Sequence, residues 1–341
     1  MTFRQTWSVA LAAGLIATVG LAGVTAQSPA AAPGSERIKP VTPSFKGAPA
    51  SGPSQVVVEH DQALATHTIY RPATLGPAKH GVLVWGEGGC GKDGLMFPEF
   101  LAEIASHGFV VIADGPPLGR PLTPAGGAPP APRGGAAAPQ APGGPPAGGP
   151  PAGAPGAGPR AGGAPQVMTD GTALITALNW IEKESQDRSS RFYQKVDATH
   201  VAAMGMSCGG LMSYGASADP RVATVGIWNS GLIQPDEKIF AGLHSPVIIV
   251  TGGESDIAYA NGKRDFETMP AKIPVFYATY PSVGHGGTYN EDNGGAFGVA
   301  AVAWLKWQLN NDTSARGKGY FTGTACGICG DAKWQKASKG F

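Results

Sequence analysis

The stretch that most constrains the fold runs from Val201 to Leu211 and reads Val-Ala-Ala-Met-Gly-Met-Ser-Cys-Gly-Gly-Leu. Its first residues are apolar, as in a buried strand, and glycines stand two positions before and two positions after Ser207. Glycine at both places lets the chain turn sharply from a strand into a helix, because larger side chains there would collide with neighbouring backbone. The stretch therefore predicts a strained turn that holds the Ser207 hydroxyl beyond the end of a sheet.

Apolar strands alternate with helical patterns on both sides of this turn. Near-continuous apolar strands of this kind indicate a parallel sheet that is covered by helices on both faces. We therefore predict one α/β domain over residues 55–115 and 166–311, with a mostly parallel twisted sheet. The predicted strands are residues 55–59 and 66–71, which can form a hairpin, and 80–85, 109–113, 197–206, 221–228, 246–251 and 274–280. The predicted helices are residues 97–107, 171–183, 211–216 and 298–309.

Two segments have a composition that is unsuited to a packed core. The chain has 52 glycines and 31 prolines in 341 residues, and 22 of the prolines lie in residues 27–54 and 116–165, where glycine is also frequent in the second segment. Such segments bury too little apolar surface to offset the entropy of ordering them. We predict a disordered leader over 27–54, a disordered Pro/Gly/Ala-rich insertion over 116–165, and a C-terminal tail over 312–341.

Residues 1–26 have the pattern of a secretory signal peptide. Arg4 precedes an apolar run over residues 9–21, and Val24-Thr25-Ala26 provides small residues for cleavage. The apolar run is short for a membrane span, so we expect cleavage, export to the periplasm or outside the cell, and no stable membrane anchor. The net charge of +1, with only 14% charged residues, gives no electrostatic basis for binding nucleic acid.

Three polar residues follow predicted strands in the order Ser207, Asp256 and His285. A serine hydroxyl needs a base to accept its proton, and a histidine base needs an acid to fix its tautomer. His285 stands among glycines, which give its loop room to approach Ser207. Asp256 is the preferred acid because Gly252-Gly253 lets the chain turn before it, while Glu254 and Asp236 remain alternatives.

Backbone N–H groups near Ser207 can form an oxyanion hole. We expect one donor from Cys208, directly after the serine, and another from Gly89 or Cys90 in the glycine-rich loop after the strand at 80–85. In the same loop, Glu87 either faces the site or caps the following helix.

Four cysteines in an exported chain indicate two disulfides. Cys326 and Cys329 are close enough in sequence to pair with each other. If Cys90 and Cys208 both flank the oxyanion hole, their Cα atoms lie within disulfide reach, so we predict a bond that fixes the two N–H donors.

Aromatic residues also fall near the predicted strand ends. These residues are Trp85, Trp228, Tyr259 and Tyr289. They either line a substrate pocket together with Glu87 or pack against the loops.

The loops Trp85-Gly-Glu-Gly-Gly-Cys90, Gly205-Met-Ser-Cys-Gly-Gly210 and Val283-Gly-His-Gly-Gly-Thr288 resemble those of the α/β-hydrolase superfamily. They are similar to those of secreted esterases and lipases of the dienelactone-hydrolase-like and cutinase-like groups. The resemblance covers residues 82–309 apart from the insertion, and the chain departs from many relatives in its insertion and in the cysteine after Ser207.

The resemblance implies cleavage of a small-molecule or polymeric carboxylic ester through an acyl-enzyme, without a cofactor or metal. Ser207 would be the nucleophile, His285 the general base and acid, and Asp256 the residue that orients it. No helical lid is evident between Trp228 and Pro246. A peptidase or acyltransferase on the same residues, and a secreted binding module without catalysis, are the alternatives. The residues give no indication of oligomeric state.

Overall fold

The computed structural model describes residues 37–48, 50–118 and 169–341. The predicted signal peptide at 1–26 lies outside the described residues. So do residues 27–36 of the predicted leader and residues 119–165 of the predicted insertion.

Within the described residues, ten strands form one sheet, in the spatial order β1-β2-β3-β5-β4-β6-β7-β8-β9-β10. The strands are β1 (Ile38–Val41), β2 (Val56–Asp61), β3 (His67–Pro72), β4 (His80–Gly86), β5 (Val110–Asp114), β6 (Val196–Met206), β7 (Val222–Trp228), β8 (Val247–Thr251), β9 (Val275–Thr279) and β10 (Gln335–Lys339). Six neighbouring strands, β5, β4, β6, β7, β8 and β9, pair in parallel. Antiparallel strands extend the sheet at both ends.

Helices cover both faces of this sheet. They are α1 (Pro98–Ser106), α2 (Thr172–Gln186), α3 (Cys208–Ala216), α4 (Glu237–Gly242), α5 (Tyr259–Thr268), α6 (Gly295–Asn310), α7 (Lys318–Phe321) and α8 (Gly327–Gly330). Residues of α1 and α6 belong to the apolar core on one face, and residues of α2 and α3 belong to the core on the other. The prediction of a mostly parallel sheet between helical layers is confirmed.

The central strands show why a continuous apolar sequence forms this sheet. In β4, Leu83 and Trp85 point into one core while Val82 and Val84 point into the other. All four are fully buried. Because side chains alternate between the two faces of a strand, a strand that is covered on both sides must be apolar at every position. The carboxyl ends of these strands therefore stand at one edge of the sheet, where polar residues can gather.

The predicted disordered leader and the predicted C-terminal tail both contribute a strand to the sheet. Within the predicted leader, β1 pairs antiparallel with β2, and the Ser51 hydroxyl donates to Glu103 of α1 over 2.6 Å. Within the predicted tail, α7, α8 and β10 are ordered, and β10 pairs antiparallel with β9. Ordered structure therefore begins before residue 55, where the sequence analysis placed its start, and the sheet also includes a strand from the tail.

No helix in residues 37–48, 50–118 or 169–341 is long and apolar enough to cross a membrane.

Candidate active site

Ser207 lies at the sharp turn between β6 and α3. Its backbone has φ 54° and ψ −113°, a left-handed conformation that is strained for a residue with a side chain. The Ser207 N–H donates to the Trp228 carbonyl over 2.8 Å, which continues the hydrogen bonding between β6 and β7 past the end of the strand. This bond holds the strained residue at the carboxyl edge of the sheet.

Glycines surround the turn because three backbone segments approach each other closely there. A Cβ atom on Gly209 would lie 1.9 Å from the Gly86 carbonyl oxygen, and one on Gly205 would lie 2.4 Å from the Gly209 carbonyl carbon. Neither distance is compatible with a side chain. The ends of β4 and β6 and the first turn of α3 therefore meet at Ser207 only because these positions are glycine.

His285 lies within hydrogen-bond distance of Ser207. It sits in a 3₁₀ turn over Gly284–Gly286 that follows β9. The Ser207 Oγ atom lies 2.9 Å from His285 Nε2, and His285 Nδ1 lies 2.6 Å from Asp256 Oδ1. With the Nδ1 proton donated to the carboxylate, Nε2 is free to accept the serine proton.

Asp256 is a buried carboxylate that accepts several hydrogen bonds. Besides His285, the N–H groups of Gly252 and Ala258 donate to it, each over 2.9 Å, and Asn229 Nδ2 donates over 2.8 Å. Burial alone would raise the pKa of Asp256, but these hydrogen bonds outweigh burial and lower the pKa below its ordinary value. Asp256 is therefore ionised at neutral pH and can accept the Nδ1 proton of His285 in a hydrogen bond.

The two alternative acids lie elsewhere. Asp236 caps α4, where it accepts from the N–H groups of Lys238 and Ile239, and Glu254 is exposed in the loop before Asp256. The loops that carry Asp256 and His285 also touch directly: a Cβ atom on Gly252 would lie 1.8 Å from the Gly284 carbonyl oxygen. Of the two glycines before Asp256, Gly252 thus allows the close contact between the loops. Gly253 allows the turn, with φ 87°.

The glycine-rich loop after β4 forms a 3₁₀ turn over Gly88–Cys90 and is joined to α3 by a disulfide. Gly89 has φ 61° and Cys90 has φ 52°. The predicted disulfide between Cys90 and Cys208 is confirmed, with Cα atoms 5.1 Å apart. Because the first N–H groups of a helix have no acceptor within the helix, the Cys208 N–H is available for a negatively charged oxygen near Ser207. The disulfide holds the predicted second donor, Gly89 or Cys90, beside it.

The predicted disulfide between Cys326 and Cys329 is also confirmed. It lies in the C-terminal region, where the Cys326 Sγ atom accepts a hydrogen bond from the Cys329 N–H over 3.2 Å. Both bonds are of the kind that forms in an oxidising compartment.

The predicted aromatic pocket is largely part of the core. Trp85, Trp228 and Tyr289 are fully buried, and their rings pack with those of Phe100 and Phe297. Of the two alternatives left open by the sequence, these three rings fit the one in which they pack beneath the loops. The sequence could not distinguish these cases, because a residue at a strand end can point either inwards or outwards.

The side chain of Glu87 makes no hydrogen bond that caps a helix. It is fully buried, its Oε2 accepts the Trp85 indole N–H over 3.1 Å, and its Oε1 has no partner among the described residues. Burial raises the pKa of Glu87 well above its ordinary value, so the side chain is held in its neutral form.

Tyr259 borders a cavity of about 270 Å³ behind the loop of Asp256. The other lining residues come from the loop after β8, from the end of β9 and the loop after it, and from β10: Gly253, Glu254, Ser255, Thr279, Pro281, Ser282 and Gln335. Neither Ser207 nor His285 borders this cavity. Among residues 37–48, 50–118 and 169–341, no group of three or more His, Cys, Asp or Glu side chains is arranged to hold a metal ion.

The end of β7 contributes two polar residues that the sequence analysis did not identify. Asn229 donates to Asp256, and the Ser230 hydroxyl donates to the Ser207 carbonyl oxygen over 2.6 Å. Ser230 also explains a third glycine, because a Cβ atom on Gly210 would lie 2.4 Å from the Ser230 Cβ. The available signal was their position directly after an apolar strand that neighbours β6.

No protein-family model matches this chain, and a comparison with curated proteins finds no similar sequence.

Proposed function

We propose that this protein is a serine hydrolase of the α/β-hydrolase type that cleaves carboxylic esters through an acyl-enzyme intermediate. The observation that carries the proposal is the continuous pair of hydrogen bonds from Ser207 Oγ to His285 Nε2 and from His285 Nδ1 to Asp256 Oδ1. A hydroxyl, a base and an orienting acid in this arrangement are the requirements for an activated serine nucleophile.

The reaction begins when Ser207 Oγ attacks the ester carbonyl carbon and its proton passes to His285 Nε2. The carbonyl oxygen becomes negatively charged and accepts hydrogen bonds from the N–H groups of Cys208 and of Gly89 or Cys90. The protonated imidazole is stabilised by Asp256 and gives its proton to the departing alcohol oxygen. Water then attacks the acyl group with His285 again acting as base, which releases the carboxylic acid and restores Ser207.

An exposed apolar side chain next to the candidate acid favours an ester with an apolar part: Ile257, the neighbour of Asp256, is 74% exposed. The described residues between Trp228 and Pro246 form one helix, the six-residue α4. We therefore propose an open cleft without a helical lid. Export follows as part of the same proposal, supported by the two disulfides.

The proposal is tested with a fluorophosphonate, which reacts preferentially with activated serines. Intact mass should show one adduct on the wild-type protein and none on Ser207→Ala. A panel of esters should then show turnover by the wild type, with a decrease on the order of 10⁴-fold or more for Ser207→Ala. Ser213→Ala, which removes a buried serine hydroxyl in α3 that donates to Gly209, is the matched control and should still be labelled.

The alternatives make different predictions in the same assays. Amide turnover comparable with ester turnover would indicate a peptidase, and transfer of the acyl group to an added alcohol would indicate an acyltransferase. Absence of both an adduct and ester turnover in the wild type would contradict the proposal and favour a binding module.

A further inference from the structure

Asn229 is the first residue after β7 and lies between the loops of the candidate triad. It is fully buried, and its N–H donates to the Val250 carbonyl of β8 over 2.7 Å. Its backbone has φ 42°, a left-handed conformation that asparagine tolerates better than most residues. The backbone therefore fixes the place from which the side chain extends.

Both amide hydrogens of Asn229 are used by the loops that carry Asp256 and His285. Nδ2 donates to Asp256 Oδ2 over 2.8 Å and to the carbonyl oxygen of Gly284, the residue before His285, over 3.1 Å. One side chain thus connects the acid to the backbone of the histidine loop. The Oδ2 bond leaves Oδ1 of Asp256 directed at His285 Nδ1.

Tyr289 fixes the orientation of the Asn229 amide. Its hydroxyl donates to Asn229 Oδ1 over 2.6 Å. Burial raises the pKa of Tyr289 well above its ordinary value, so the hydroxyl remains a donor. If the amide were rotated by half a turn, its oxygen would face both the Asp256 carboxylate and the Gly284 carbonyl, and two acceptors would meet without a proton between them.

We propose that Asn229 is a positioning residue for the triad, and that Tyr289 acts through it by holding the amide in its donating orientation. Asn229 does not touch the reacting atoms. It sets the distance between the Asp256 carboxylate and the turn that presents His285, and so sets how closely the imidazole approaches Ser207. This inference rests on the proposed hydrolase function.

The alternative is that Asn229 only satisfies buried polar groups and stabilises the fold. A positioning role differs in what it changes, because a loop that is displaced by about 1 Å can lower the rate of a reaction on the order of a hundredfold while the protein stays folded. The test must therefore separate catalytic rate from stability.

The experiment compares four variants by ester kinetics, fluorophosphonate labelling rate and denaturant unfolding. Asn229→Gly removes the amide and accepts the positive φ without strain. Tyr289→Phe keeps the ring in its packing, and the double variant combines the two. Thr224→Val is the matched control: Thr224 is a buried residue of β7 that accepts the Trp304 indole N–H and donates to the Pro246 carbonyl, on the same strand but away from its carboxyl end.

If the proposal is right, Asn229→Gly lowers kcat and the labelling rate by roughly tenfold to a hundredfold with KM nearly unchanged. Tyr289→Phe has a smaller effect in the same direction. The double variant is no slower than Asn229→Gly, because Tyr289 has nothing left to orient; such non-additivity is the mark of residues that act as a unit. Thr224→Val loses stability but keeps the wild-type kcat.

The proton between His285 Nδ1 and Asp256 Oδ1 gives a second readout that does not depend on turnover. A proton in so short a bond resonates at unusually low field in NMR, and the resonance should shift or broaden in Asn229→Gly and in Tyr289→Phe but stay in place in Thr224→Val. If Asn229→Gly does not fold, Tyr289→Phe alone tests the inference by its kcat and by this resonance.

Two results would overturn the inference while leaving the hydrolase function intact. One is an Asn229→Gly variant with wild-type kcat and labelling rate. The other is an effect of Tyr289→Phe on kcat that is undiminished in the double variant. A wild type that takes no label and hydrolyses no ester would overturn the proposed function, and the inference with it.

Discussion

The two disulfides have the same separation between Cα atoms, 5.1 Å, but they connect very different parts of the chain. Cys90 and Cys208 are 118 positions apart in sequence, whereas Cys326 and Cys329 are three positions apart. The first bond joins the loop after β4 to the first turn of α3, beside Ser207. The second closes a single turn in the C-terminal region.

The difference shows that equal local geometry has unequal consequences. A disulfide stabilises a protein mainly by restricting the unfolded chain, and the restriction increases with the length of the closed loop. Only the Cys90–Cys208 bond also fixes the relative position of two segments that supply N–H groups to the candidate oxyanion hole. We therefore expect the Cys90–Cys208 bond to affect both the stability of the protein and the rate of ester hydrolysis. We expect the Cys326–Cys329 bond to affect local order in the C-terminal region.

The largest expected effect follows from removing the long-range bond. Replacing Cys90 and Cys208 with alanine should lower the free energy of unfolding by about 4–5 kcal/mol, from the loop length. The kcat for ester hydrolysis should fall on the order of tenfold or more, because the N–H donors are no longer held together. Urea denaturation and ester kinetics of the folded fraction measure the two effects. An unchanged kcat would show that packing alone positions the donors.

A smaller effect is expected when the local bond is removed. Replacing Cys326 and Cys329 with alanine should cost about 2 kcal/mol, since the closed loop is short, and should leave kcat unchanged. The same two assays apply. A decrease in kcat as large as that of the Cys90 and Cys208 variant would remove the distinction between the two bonds.

The smallest effect concerns Glu87, which lies just before the 3₁₀ turn that carries Cys90. Its raised pKa in the folded state means that the unfolded chain releases a proton that the folded protein keeps. Stability from this group is therefore complete below the unfolded-state pKa and is lost as the pH rises towards the folded-state pKa. Glu87→Gln should match the wild type at pH 4 and be more stable than the wild type at pH 8.

Chemical denaturation at the two pH values checks this prediction. The glutamine keeps an oxygen for the Trp85 indole N–H and does not titrate, so the difference between the proteins should grow with pH. A difference in stability that is equal at pH 4 and pH 8 would mean that Glu87 does not hold a proton in the folded state.

The sequence was informative about the fold where burial determines the residues. The strands from β4 to β9 are apolar because both faces of the sheet are covered, and their positions were predicted within a few residues. β1 and β10 were missed because they join the sheet through backbone pairing at its ends. β10 reads Gln-Lys-Ala-Ser-Lys and is mostly exposed, so no apolar pattern marks it as a strand.

Some residues of the candidate site could also be predicted from the sequence and others could not. Ser207, Asp256 and His285 were predicted because their residue types, order and glycine neighbours follow from the chemistry and the turns. Asn229 and Ser230 look like ordinary residues of a loop, and their contacts exist only where β7 lies between β6 and β8. Trp85, Trp228 and Tyr289 were placed near the strand ends, but the direction of each side chain depends on packing that no local pattern records.

The residues on β1 and β10 also affect how separate molecules meet. An unpaired strand at the end of a sheet can accept a strand from a neighbouring molecule, which is a common start of aggregation. β1 carries Lys39 and Pro40, and proline has no N–H to donate. β10 carries Lys336 and Lys339, whose charges would have to approach those of a second copy. These lysines and the proline therefore disfavour pairing of either end strand with a strand of a second copy.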